Sequence, residues 1–148
     1  MPSLLHQLLA RFSRPPPPAP DGQMLTATEE PHTIYAIGDV HGCLDLLRRL
    51  EDTLLEDAAG RPGSTWFVML GDYVDRGPHS AGVLDHLLAP LPSGVQRICI
   101  AGNHEAAMLR FLEQPSRKSS WLGFGGIETL LSYGISETAL TTASRTAL

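Results

Sequence analysis

Three short apolar runs, each closed by a glycine and then an acid or an amide, constrain this chain more than any other feature. "TIYAIGD" ends on Gly38-Asp39, "TWFVMLGD" on Gly71-Asp72 and "QRICIAGN" on Gly102-Asn103. The acid and amide positions stand 33 and then 31 residues apart. That spacing is the length of a strand, a crossover helix and a loop. The runs are short, β-branched and continuously apolar, as in a parallel sheet covered on both faces. The segments between them read as helices. Cys43 to Ala59 places Leu44, Leu47, Leu50, Leu54 and Ala58 on one face, with Gly60 as a stop. Ser80 reads as the N-cap of a helix carrying Val83, Leu84, Leu87 and Leu88, and Pro90 ends it. A third helix starts at His104. The expectation is an α/β fold of three successive strand–loop–helix units.

In such a sheet all strands point the same way, so the three Gly-Asp/Asn loops emerge at one edge, where ligands bind. Asp39, Asp72 and Asn103, far apart in sequence, converge there. Asp39 and His41 are two apart, which on an extended segment directs a carboxylate and an imidazole to one side. Asp72 adds a carboxylate that can bridge two cations, and Asn103 adds an amide oxygen. Mixed nitrogen and oxygen donors suit Mn, Fe, Zn, Co or Ni better than Mg or Ca. A bridging Asp with ligands on either side points to two divalent metal ions. Arg76 offers a planar fork for phosphate oxygens. His104 is placed to donate a proton to a leaving group, with Asp75 to orient it.

"GDVHG" (38–42), "GDYVDRG" (71–77) and "GNHE" (102–105) resemble the signature blocks of calcineurin-like metallophosphoesterases. "GDYVDRG" is similar to the phosphoprotein-phosphatase branch, and "WLGFGGIETLLSYG" (121–134) to its bacterial members. The resemblance covers about Ile34 to Gly134. It implies a sandwich of sheets flanked by helices, with a dinuclear centre, manganese foremost, at the strand ends. It implies Asp39, His41 and Asp72 at one metal, Asp72 and Asn103 at the other, Asp75 with His104 as proton-donating pair, and Arg76 as phosphate clamp. The implied activity is metal-dependent hydrolysis of phosphomonoesters, including phosphoserine and phosphothreonine in proteins. Two alternatives stand beside it: hydrolysis of a dinucleoside polyphosphate such as diadenosine tetraphosphate, and an inactive metal- or partner-binding module.

The family's downstream blocks supply two more histidines, yet His104 is the last histidine here, and the later arginines are only Arg110, Arg117 and Arg145. The chain is therefore expected to be the N-terminal half of the domain. Half a sandwich would leave one apolar sheet face without a cover, to be completed by a partner or a dimer, and would put the activity of this chain alone in doubt.

Within 148 residues, a metallophosphoesterase region is expected over 31–134, preceded by an N-terminal segment, 1–30, and followed by a weakly ordered tail, 135–148. In the first segment Leu4, Leu5, Leu8, Leu9 and Phe12 fall on one helical face, and a stiff proline run, Arg14 to Gly22, follows. The net charge of −5 gives no basic footprint for a nucleic-acid partner. No apolar run reaches the roughly 18 residues of a membrane span, and the N-terminus lacks a secretory signal pattern. Cys43 and Cys99 read as two free, buried thiols in a reducing cytoplasm. His6, His32 and His86 read as surface residues, and His79 as a neighbour of the site.

Overall fold

A computed structural model describes residues 30–136 of the chain. The expected N-terminal helix, its proline spacer and the tail beyond residue 136 lie outside the described residues. Three strands, β1 (Thr33–Ile37), β2 (Thr65–Met69) and β3 (Val95–Cys99), alternate with α1 (Leu44–Ala59) and α2 (Ser80–Leu88). Helix α3 (Asn103–Glu113), a segment kinked at Gly125 (Leu122–Gly126) and α4 (Ile127–Ser132) follow. The strands pair in parallel in the order β1-β2-β3. The α/β class and the parallel sheet flanked by helices are as the sequence predicts.

Register matters most for the site. Ile37 lies opposite Met69, and Met69 opposite Cys99, so the three strands end level. The ladder runs one step further, Leu70 N–H to Ile37 O and Ile100 N–H to Met69 O, both 2.9 Å. The loops that follow therefore leave the sheet side by side.

Among the described residues, one face of the sheet is covered and the other is not. Thr65, Phe67 and Met69 are buried, and Phe67 meets Tyr35 edge-on at 5.7 Å. Ile37 and Met69 join Leu47, Val83, Met108, Phe111, Trp121, Leu130 and Ile135 in a single core. The alternating residues Ile34, Ala36, Trp66, Val68 and Ile98 are exposed or half-buried. Cover on both faces, as continuous apolar runs suggest, is not what the described residues show.

Four details differ from the sequence reading. Leu50 is exposed, and Glu51 takes the buried place on α1 instead. A carboxylate can be buried there because Arg97 of β3 forks onto it at 2.8 and 2.9 Å and His86 Nε2 meets it at 2.7 Å. His86 is thus half-buried against Glu51 rather than a surface residue. Helix α2 begins at Ser80, its N-cap is His79, and the Ser80 hydroxyl is buried beside Asp75. Both cysteines are free, but Cys43 is only half-buried and Cys99 is exposed, so neither is a core thiol. Among the described residues no helix is long and apolar enough to cross a membrane.

Candidate metal and phosphate site

The level strand ends put "GDVHG", "GDYVDRG" and "GNHE" against one another. Val40 and His41 N–H both donate to Asp72 O, at 3.0 and 2.9 Å, and Gly42 N–H donates to Tyr73 O at 2.8 Å. Close approach dictates the glycines. At Gly71, where φ is +102°, a Cβ would sit 2.5 Å from Gly102 N, and a Cβ on Gly102 would sit 2.2 Å from Asp72 Oδ1. No side chain fits between these two loops.

Backbone strain is concentrated here. Among the described residues, the non-glycine residues with positive φ are His41, Asp72, Asp75 and Arg76. Each such residue costs on the order of 1–2 kcal/mol, and outliers of this kind collect at functional sites because the surroundings over-determine them. The over-determination is visible. Glu105 accepts the N–H groups of Asp72, Tyr73, Val74 and Gly102 at 2.8 to 3.2 Å. Tyr73 OH is anchored on the carbonyls of Met69 and Ile100, and burial pushes this phenol well above its ordinary pKa, so it stays a neutral donor.

The side chains of five expected site residues meet. His41 Nδ1 lies 2.9 Å from Val74 O, and His104 Nδ1 lies 2.7 Å from Asp75 Oδ2. Both partners only accept, so each ring carries its proton on Nδ1. Arg76, which only donates, confirms this from the other side: Nη1 is 2.9 Å from His41 Nε2 and Nη2 is 3.2 Å from His104 Nε2. The two rings stand edge to face, 4.7 Å apart. Two imidazole lone pairs thus point into the space where Asp72 also offers oxygen. Asp72 Oδ1 accepts His104 N–H at 3.1 Å. Asp39 sits at the rim, its side chain 67% exposed and Oδ2 3.6 Å from His41 Nε2. Asn103 is exposed at the start of α3. His79 is exposed as well.

One ligand atom each from His41, Asp72 and His104 lie within 4.8 Å of one another. Two imidazole nitrogens and a carboxylate, with Asp39 alongside, fit a divalent transition-metal ion. The donor set is therefore compatible with a metal. Four residues that bear on the site were not assigned to it from the sequence: Glu105, Ser80, Trp121 and Thr129. Glu105 is the one with a sequence signal, since a glutamate three residues into a helix commonly reaches back to its N-terminal N–H groups.

The family model for calcineurin-like phosphoesterases matches residues 32–141. The chain belongs to the calcineurin-like phosphoesterase family. It is similar to the protein named bis(5'-nucleosyl)-tetraphosphatase, symmetrical, of Dechloromonas aromatica, at 40% identity over 53% of this chain and 26% of the relative. The protein of the same name from Legionella pneumophila is 42% identical over 53% of this chain and 26% of the relative. That of Pseudomonas fluorescens Pf-5 is 37% identical over 51% and 24%. The matched region spans about a quarter of the length of these curated relatives. No solved structure matches the chain.

Proposed function

We propose that this site serves metal-dependent hydrolysis of phosphoric esters and anhydrides, with a dinucleoside tetraphosphate as the favoured substrate class. The observation that carries the reading is the convergence of His41, Asp72, Asp75, Arg76 and His104, four of them strained, at one edge of a parallel sheet. The names of the relatives favour the dinucleotide over a phosphoprotein.

Asp39, His41 and Asp72 would hold one cation, and Asp72 with Asn103 a second. Bound divalent cations supply a hydroxide from water near neutral pH and offset phosphate charge. The protein's own residues do the rest. Arg76 presents its fork to two oxygens of the phosphoryl group. Once its Nε2 has taken up a proton from solvent in place of the Arg76 contact, His104 gives that proton to the departing oxygen, while Asp75 keeps hold of Nδ1–H and fixes the ring. Water adds to phosphorus, the bridging P–O bond breaks, and the leaving group departs protonated. For a dinucleoside tetraphosphate cut symmetrically, the products are two nucleoside diphosphates.

The test is manganese-dependent hydrolysis of diadenosine tetraphosphate, p-nitrophenyl phosphate and a phosphopeptide by the purified chain, with Asp72→Asn as control. The expected result is turnover, fastest on the dinucleotide, that Asp72→Asn removes. Equal rates for wild type and Asp72→Asn would overturn the proposal, and faster cleavage of the phosphopeptide would overturn the substrate assignment.

A further inference from the structure

The segment after α3 reaches back into the site. Asp75 is fully buried. Its Oδ2 takes two donors, His104 Nδ1 at 2.7 Å and the Trp121 indole N–H at 2.8 Å. Its Oδ1 accepts the Thr129 hydroxyl at 2.7 Å, and the same Thr129 oxygen accepts Asp75's own N–H at 2.8 Å. Thr129 therefore grips both ends of a residue whose φ is +74°. Ser80 Oγ, 3.1 Å from Thr129 Oγ1, backs the contact from α2.

An ordinary helix would not deliver this. Residues eight apart on one lie about 12 Å apart along the axis, too far to share a carboxylate. A kink between two helices breaks the run, with Gly125 at φ 108°. Gly125 O also accepts Arg76 N–H at 3.3 Å, and a Cβ on Gly125 would meet Arg76 N at 2.4 Å. Trp121 is itself fixed by Phe111, 4.8 Å between ring centres.

We propose that Trp121 and Thr129 are positioning residues that act through Asp75: they hold its carboxylate where it takes the Nδ1–H of His104 and leaves His104 Nε2 facing Arg76. Neither touches His104 in any contact described above. Hydrogen bonds to the partner of a functional histidine fix its tautomer and ring orientation, and their loss commonly costs ten- to a hundredfold in metal-site function. The consequence for turnover rests on the phosphoesterase reading, but the placement of the proton does not.

The experiment is therefore proton NMR of the full chain labelled with ¹⁵N-histidine, on wild type, Trp121→Phe, Thr129→Val and Thr129→Ser. In wild type the Nδ1–H of His104, assigned by its absence in His104→Gln, should be a resolved signal slow to exchange with water. Trp121→Phe and Thr129→Val should exchange it roughly tenfold faster or lose it. Thr129→Ser keeps the hydroxyl and should restore it. If the chain turns over substrate, the two disabling variants should lower kcat with KM little changed. An unchanged Nδ1–H signal in folded Trp121→Phe and Thr129→Val would overturn the proposal. So would a loss in Thr129→Val that Thr129→Ser fails to restore, since that would implicate packing rather than the hydroxyl. A chain without turnover would overturn the phosphoesterase reading, and the Nδ1–H signal would still decide the positioning.

Discussion

Glu51 and Glu105 are both buried glutamates on helices of the same small domain, yet they are held by opposite means. Glu51, on α1, is met by side chains: the Arg97 guanidinium of β3 and the His86 ring of α2. Glu105, on α3, is met by the backbone: four N–H groups of the Asp72 and Gly102 loops. The first arrangement joins regular elements and contains no strained residue. The second restrains a loop in which Asp72 is at positive φ. A carboxylate matched by a cation ties the fold together. A carboxylate matched by amide dipoles fixes the shape of a site.

The sharpest way to separate the two is to remove a partner. Arg97 also donates to the carbonyls of His86, Leu87 and Ala89, so it closes the end of α2 as well as matching Glu51. Arg97→Met leaves a buried carboxylate opposed only by a half-buried histidine. The expected cost is about 3–5 kcal/mol, read as a lower urea midpoint. Replacing both partners, Glu51→Leu with Arg97→Met, should recover most of that loss, because a well-packed apolar pair can do as well as a buried ion pair. A single substitution costing less than about 1 kcal/mol would show that water reaches the cluster.

Glu105 allows no such rescue, since its partners are backbone groups that substitution cannot remove. Glu105→Gln keeps one acceptor oxygen and turns an N–H₂ toward N–H donors. It should cost about 2–3 kcal/mol. It should also weaken manganese binding by roughly ten- to a hundredfold in calorimetry, through the loosened Asp72 loop. Stability loss with unchanged manganese affinity would mean that Glu105 supports the fold and not the site.

The sequence shows these two carboxylates unequally, and the reason is physical. Glycines and acids at the ends of apolar strands can be placed without coordinates, because parallel topology alone brings strand ends to one edge. That is why Asp39, His41, Asp72, Asp75, Arg76 and His104 could be named. Helical periodicity marks which residues are apolar, but does not know that Glu51 will find an arginine 46 residues away. It therefore favoured Leu50, which is exposed. Ser80 has the chemistry of an N-cap, and only the fold reveals that Asp75 N–H claims its oxygen. Trp121 and Thr129 depend on a kink at Gly125: the glycines at 123, 125 and 126 mark a tight loop there, but nothing local says that it aims both side chains at Asp75.

Asp57 completes the comparison as a carboxylate in solvent. Arg61, one helical turn on, forks onto it at 2.8 and 3.1 Å, and the Tyr35 hydroxyl donates to the same group. Hydrogen bonds from Arg61 and then Tyr35 lower its pKa below 3.8. A lowered folded-state value means that the stabilisation is present above the unfolded value and is lost as pH falls through the folded one. Asp57→Asn should therefore change stability most at neutral pH and low salt. The difference from wild type should vanish in acid, below the folded value, and also near 1 M salt, where screening reaches within about 3 Å. Because all three groups face water, the change should be the smallest of the set even at its largest. A loss at neutral pH as great as that of Arg97→Met would mean that exposure does not rank these carboxylates, and that the geometry of the hydrogen bonds alone does.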